Sequence, residues 1–504
     1  MPIAAESLRL GPWRAGVNYS LPAEEIGPEG LYDMANCTIG QAGEVKKRKG
    51  YAKYNASALN SGATVTALGQ LVLAGTEKVF AIAGNKFYDV TGGTATDRTG
   101  SVTITAGDDN VWNWVLAGDT LVAVNGVDTD GITWAGGTNN AGTLDDDSRF
   151  TKPTWIAFWE NRLWLGNENS NNDRVWRSDA GDITTWGATN YHQFGYEVHG
   201  LSPFGNALAV HTEQGIHTLT PTGNSTIPFQ QQQQTQQGTI AGRSIVNIPG
   251  QRQLFVREDG IYQWAGGTQV EKMSFALDDR YWDDINTARL AYSFALYYPN
   301  KEEVWFFLPH GAGQSTMDSV VVYSTRLNCW FGPYDNFTRD SAALIDDLPH
   351  AGDFDGYVMK HETGNNDDGD LIKGYFETGN IAPLGDSVEC RWLYARTLFD
   401  NQGDYDVAVQ QKAAGIVANV ETLTMEHTGS TAAFGLLDST FVLDTSTLQP
   451  ELSTLTGDTD LFGYDPRTML RFSNFVDDET FTIRRTSLMY KPIGRTRHRR
   501  TGLE

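Results

Sequence analysis

A short apolar segment recurs seven times in this chain at nearly constant spacing. The copies are Val79-Phe80-Ala81-Ile82, Leu121-Val122-Ala123-Val124, Leu163-Trp164-Leu165, Leu208-Ala209-Val210, Leu254-Phe255-Val256, Val304-Trp305-Phe306-Phe307 and Tyr357-Val358-Met359. Measured between their second residues, the steps are 42, 42, 45, 46, 50 and 53. Propeller blades repeat at roughly 40–50 residues. Each copy leads through a turn into a second alternating strand, as in Glu258-Asp259-Gly260 before Ile261-Tyr262-Gln263-Trp264, and Gly84-Asn85 before Lys86-Phe87-Tyr88. Gly or Asn supplies the positive φ that a tight hairpin needs.

Burial explains why such a repeat closes into a wheel. A small four-stranded sheet has two apolar faces and cannot cover both alone. Radial stacking buries each face against a neighbour and leaves only short edges. Segments such as Val304-Trp305-Phe306-Phe307 suit strands covered on both sides. Ordinary hairpins in a sandwich are the competing architecture. The repeat predicts six or seven blades, and the lengthening of the late steps leaves the place of the last copy open.

Composition agrees with an all-β chain. The 504 residues include 14 Trp, 20 Tyr and 23 Phe, which favour strands, and 53 Gly, which suit tight turns. The expected architecture is an all-β, six- or seven-bladed β-propeller over residues 56–378. The chain ends, which do not repeat, are expected to add a β-sandwich-like platform: an N-terminal arm at 1–55 and a C-terminal domain at 379–492. Residues 493–504 form a basic tail. The glutamine tract at 230–234 is expected to be an exposed loop between blades.

Known catalytic signatures are missing. There is no GxSxG elbow, no Walker A ending and no HExxH. His199, His211 and His217 have no ligand spacing and are expected on strand surfaces. Asp145-Asp146-Asp147 and Asn365-Asn366-Asp367-Asp368-Gly369-Asp370 are acidic enough for Ca²⁺ but lack EF-hand spacing, so solvated loops are expected. Cys37, Cys329 and Cys390 are odd in number and far apart; neither zinc nor a disulfide framework is expected. No cofactor and no catalytic residue is assigned. The N-terminal stretch has no apolar signal region and no apolar run is long enough for a membrane span.

The formal charge is −24, which argues against a protein that wraps or reads DNA. The ends differ from the body. Residues 481–503 hold seven basic residues and no acid, so the remainder carries −31. Arg484, Arg485, Lys491, Arg495, Arg497, Arg499 and Arg500 are therefore candidates for docking on an acidic neighbour or for touching DNA phosphate. Lys46, Lys47, Arg48 and Lys49 form a second basic run and a candidate N-terminal interface.

Several stretches resemble a known family. Ser178-Asp179-Ala180-Gly181-Asp182-Ile183-Thr184-Thr185-Trp186 resembles a blade turn of phage tail propellers, and loosely the Asp-box turn of sialidases. Gly16-Val17-Asn18, Pro22, Asn36, Gly43 and Lys47-Arg48-Lys49-Gly50-Tyr51 are similar to the opening of the tail nozzle or tail hub proteins (tail tubular protein B-like) of short-tailed bacteriophages. Residues 237–245, 391–399 and 481–490 are similar to further segments of that family. The resemblance implies a non-enzymatic virion component, assembled in the host cytoplasm as a hexameric ring. Its implied partners are a portal-adaptor ring, tail fibres or tailspikes, and genomic DNA passing through the channel that the ring closes. A glycosidase or a receptor-binding propeller is the alternative, because propellers host all three roles.

Overall fold

A computed structural model of the chain describes residues 4–73, 75–144, 150–400, 402, 405–413, 416–424 and 454–495. They divide into two compact units. One comprises Tyr51–Thr325 and Tyr334–Thr363; the other gathers Met1–Gly50, Arg326–Pro333 and Gly364–Glu504. The chain thus enters the first unit five residues earlier than the sequence suggested and leaves it at 363 rather than 378.

Among the described residues, the first unit forms seven antiparallel sheets. Their first strands are Val65–Leu73, Asn113–Ala117, Trp155–Trp159, Val198–Phe204, Val246–Ile248, Phe294–Tyr298 and Ser341–Ile345. Their second strands are Thr76–Ala83, Thr120–Val124, Arg162–Glu168, Ala207–Thr212, Arg252–Arg257, Glu303–Leu308 and Leu348–Gly352. Six of the seven repeated segments fall on these second strands, which are covered on both faces; Ala207–Thr212 and Glu303–Leu308 are buried at every position. Full burial of one such large apolar side chain contributes about 1.5–3 kcal/mol.

Consecutive sheets share cores. Phe80 and Phe87 of the first meet Trp134 of the second, with the rings of Phe87 and Trp134 5.2 Å apart. Val122 packs with Leu163 and Trp176, Trp164 with Leu208, and Ala209 with Phe255 and Trp264. The ring closes where Val79 and Ala81 of the first sheet share a core with Ile345 and Val358 of the seventh. The seventh sheet takes its outer strand, Tyr51–Lys53, from the start of the unit: Lys53, Ala52 and Tyr51 pair with Met359, Lys360 and His361. The fold is a β-propeller.

One open place is filled and one expectation needs correction. The seventh repeated segment belongs to the third strand of its sheet, Val358–His361. The true counterpart is Leu348–Gly352, whose His350 lies 45 positions past Trp305. Pro349 and His350 disguised it, so the apolar pattern pointed one strand too far. The glutamine tract is not a loop. It is the outer strand of the fourth sheet, Phe229–Thr235, running beside Gly215–Pro221.

Hairpin geometry follows the turn residues. Ala83 pairs with Lys86 across a two-residue turn in which Gly84 has φ +56°. A Cβ there would stand 2.8 Å from the Cβ of Ala63 and 2.6 Å from the Asn60 amide.

The second unit is built from both chain ends. One sheet runs Thr454–Asp460, Val388–Asp400, Thr482–Arg495, Val45–Lys47, Cys37–Ile39, with Glu6–Leu10 also on Thr482–Arg495 and Tyr464–Asp465 on Val388–Asp400. The other runs Gly16–Val17, Gly30–Ala35, Gly374–Thr378, Met469–Asn474, Asp406–Ala413, Ile416–Thr424. Phe376 links them. Its ring stacks on Phe472 at 4.9 Å and lies 5.1 Å from Trp13 and 6.2 Å from Phe481. Cys37, Cys329 and Cys390 are buried and form no disulfide. No helix among the described residues is long and apolar enough to cross a membrane.

Candidate functional site

The longest strands of the second unit carry its most distinctive surface. Along Thr482–Arg495, Thr486, Leu488 and Tyr490 are buried, while Arg485 and Lys491 are exposed. The same alternation along Val388–Asp400 buries Cys390, Trp392 and Ala395 and exposes Arg391 and Arg396. Alternation, reset by a register shift between Trp392 and Tyr394, puts Arg485, Lys491, Arg391 and Arg396 on one face.

Register arranges these cations in rows. Tyr464, Arg391 and Lys491 lie side by side across three strands. Asp458, Arg396, Ser487 and Arg9 form a second row. Four residues separate the rows along the strand, roughly 13 Å. Arg396 is held by a two-pronged contact with Asp458, 2.7 Å at each prong. Tyr464 is 65% exposed beside Arg391. An exposed aromatic among cations can bind acidic or phosphate groups by charge and ring contact. Arg391 and Arg9 were not recognised as site residues in the sequence. Nothing in their local sequence marks them; only strand register brings them to Lys491 and Ser487.

The other expected cations are placed variously. Arg484 faces Asp400, with Nη2 3.0 Å from Oδ2. Arg495 ends the strand. Arg497, Arg499 and Arg500 lie outside the described residues, as do Asp145, Asp146 and Asp147. In the N-terminal run, Lys46 is half-exposed and 2.9 Å from Glu44. Lys49 is exposed and donates to Asn365 Oδ1 at 2.9 Å.

Lys47 and Arg48 are interior, so the run is not a continuous surface. Lys47 Nζ donates to Asn474 Oδ1 at 2.9 Å and to the Val476 carbonyl at 3.1 Å. Burial pushes its ammonium down to about 8. Arg48 grips Asp367 at 2.7 and 2.6 Å, and its Nε donates to Asn36 Oδ1 at 2.9 Å. Asp367, expected in a solvated acidic loop, is thus a buried partner of Arg48.

In the ring unit the first strands surround an axial cavity of about 240 Å³. Arg243 is the charged residue of its lining, with Asp340 behind it. Arg243 Nη1 stands 4.0 Å from Asp340 Oδ1, and the guanidinium lies 4.9 Å from the centre of the Phe294 ring. Burial pushes the Asp340 carboxyl up to about 7. This cavity has room for a small molecule only.

Of the three histidines expected on strand surfaces, His199 is half-buried on Val198–Phe204, and the other two are interior. His211 is fully buried, with Nε2 2.9 Å from Gln253 Oε1, and burial pushes its imidazole down to about 4. His217 is buried as well. The Ser178–Trp186 turn caps the third sheet. The Ser178 hydroxyl accepts the Leu163 N–H at 2.9 Å, and Trp186 is buried. Hydrogen bonds from Thr184 and Thr185 hold the Asp182 carboxyl at about 2, so it is a structural acceptor. Among the described residues, no three His, Cys, Asp or Glu side chains gather as a metal site.

No family model matches the chain, and no curated protein matches its sequence. Solved structures align with its fold. YCF48 bound to D1 peptide aligns with a TM-score of 0.38 at 13% identity, covering 63% of this chain and 98% of that one. BamB from Moraxella catarrhalis aligns with a TM-score of 0.37 at 12% identity, covering 71% and 97%. The computationally designed Ika8 protein aligns with a TM-score of 0.38 at 14% identity, covering 62% and 99%. These likenesses concern fold alone.

Proposed function

We propose that this chain is a structural subunit of a short-tailed phage tail, a nozzle or hub ring that docks below the portal-adaptor and passes DNA on infection. The observation that carries the reading is the cation-bearing sheet face of the second unit, displayed by a chain of net charge −24. Such a face suits an acidic patch on an adjoining ring or passing phosphate. The resemblance of the N-terminal segments to tail nozzle proteins supplies the biological frame.

A second observation supports assembly. Among the described residues, the second unit exposes Leu21, Leu384, Val417, Val420, Phe462, Tyr464, Phe475, Val476 and Ile493, whereas the larger ring unit exposes four large apolar side chains. Surface apolar groups concentrated on one unit favour association there. In this reading the DNA path runs between copies, since the axial cavity is too small. The strong acidity of the remainder keeps sliding DNA from adhering.

Native mass spectrometry of the protein mixed with portal-adaptor rings tests the proposal. Six copies per adaptor ring are expected. A protein that stays monomeric and leaves the adaptor unbound at every concentration would overturn it.

A further inference from the structure

The outer strands of the first, second, third, fifth and seventh sheets are Thr96–Asp97, Gly142–Thr143, Tyr191–Gln193, Val270–Lys272 and Tyr51–Lys53, each two or three residues long. Short edges leave little main chain for a stray strand to pair with. The sixth ends in the six-residue Cys329–Tyr334, and the fourth departs furthest. Its outer strand, Phe229–Thr235, has seven residues, and Gln230, Gln231, Gln232 and Gln233 are exposed.

The edge also lacks the usual protection. Exposed edges are commonly guarded by Lys, inward charges or Pro. Residues 214–242 contain no Asp, Glu, Lys or Arg, in a chain where 20% of residues are charged. The strand itself contains no Pro. Ile227, 62% exposed, stands just before it. Gln231 Nε2 donates to the Gln193 carbonyl at 3.2 Å, which ties the strand to the third sheet. Gln234 Nε2 donates to Thr218 Oγ1 at 2.8 Å. The strand is fastened from its inner side and open on its outer side.

The ladder tells which main-chain groups point outward. Gly215–Pro221 pairs with it in constant register from His217↔Gln233 to Pro221↔Phe229. Just beyond, the Thr222 N–H donates to the Pro228 carbonyl at 3.0 Å. Hydrogen-bonded and non-bonded pairs alternate along antiparallel strands. Counting from Thr222 and Pro228, Gln230 and Gln232 bond inward, while Phe229, Gln231 and Gln233 turn their N–H and C=O groups away from the sheet.

We infer that Phe229–Thr235 is a strand-addition site for an extended, uncharged segment of a partner protein, rich in amide or hydroxyl side chains. Free donors and acceptors at a two-residue period fit an added strand and no other common ligand. The absence of charge over 29 residues removes both attraction to ionic ligands and repulsion of a neutral peptide. The row of Gln amides offers matched donors and acceptors to side chains of the same kind. The inference is independent of the tail reading.

A fluorescein-labelled peptide of sequence Phe-Gln-Gln-Gln-Gln-Gln-Thr, blocked at both ends, is the probe. Fluorescence anisotropy against the full chain should show saturable binding. Gln231→Pro removes an outward N–H together with the side-chain bond to Gln193, and should weaken binding at least about tenfold, whereas Gln231→Ala, which loses the side-chain bond alone, should keep it. Gln232→Pro breaks the inner ladder and should lower the melting temperature. No probe binding, or equal binding by Gln231→Pro, would overturn the inference. Dimers of the protein alone that Gln231→Pro dissolves would assign the edge to a second copy and overturn the partner assignment.

Discussion

Lys491 and Arg391 stand directly opposite each other on adjacent antiparallel strands, cation facing cation. Directly opposed like charges destabilise a sheet by a few tenths of a kcal/mol to about 1 kcal/mol. Lys491→Ser should therefore stabilise the isolated protein by about 0.5 kcal/mol in urea titration. It should also weaken binding to a polyanion such as heparin and reduce the salt slope by about one. Opposite signs for stability and binding identify a surface kept for a partner. If Lys491→Ser destabilises the protein or leaves the salt slope unchanged, the face is structural.

Arg48 and Asp367 pair in the interior of the second unit with side chains only 3% and 1% exposed. Removing one charge of a buried pair leaves the other without compensation. Asp367→Asn should cost about 3 kcal/mol. Lys49→Ala, one residue away but exposed, should stay within about 0.5 kcal/mol. Equal effects in denaturant unfolding would refute the distinction between the interior and exterior halves of the basic run.

Glu303 gives the ring a pH dependence of definite sign. Burial pushes its carboxyl up to about 7, outweighing the attraction of Lys301; its carboxylate accepts the Trp305 indole N–H at 3.0 Å. The groups facing it, Lys301 and Glu362, are paired with each other. Between the unfolded value of 4.5 and the folded value near 7, the folded chain holds a proton that the unfolded chain has released. This contribution is complete below 4.5, declines as pH rises to about 7 and is absent above it. Glu303→Gln should flatten that segment of the stability curve, by about 3 kcal/mol across the window. Thermal melts from pH 4.5 to 8 that keep the wild-type slope would exclude Glu303 as its source.

The propeller was legible because its second strands must be apolar on both faces, so each announces itself without an alignment. Leu348–Gly352 escaped because Pro349 and His350 interrupt its apolar run while burial persists. The glutamine strand escaped for the opposite reason. Phe229–Thr235 exposes most of its side chains, so nothing in its polarity distinguishes a strand from a loop. The candidate site was half legible. Arg485 and Lys491 stood out in a run without acids, but Arg391 and Arg9 join them only through register between strands distant in sequence. Burial of Lys47 and Arg48 was hidden because their partners, Asn474 and Asp367, lie hundreds of residues away.

Closure of the ring depends on Tyr51. Its main chain pairs with His361, and its side chain is 9% exposed. The ring lies 5.3 Å from His361 and 5.9 Å from Phe337, with the Arg339 guanidinium 4.5 Å from its centre. The strand Tyr51–Lys53 has three residues, too few for the ladder alone to hold it. Truncating a buried aromatic costs about 3 kcal/mol or more. Tyr51→Ala should therefore open the seventh sheet before the rest of the wheel. Amide exchange at Val358–His361 should accelerate by about two orders of magnitude. Exchange at Glu303–Leu308, buried throughout one sheet away, should change less. If both segments accelerate equally, the wheel opens as one cooperative body and Tyr51 is not a local latch; if neither does, the short outer strand is held by its main chain after all.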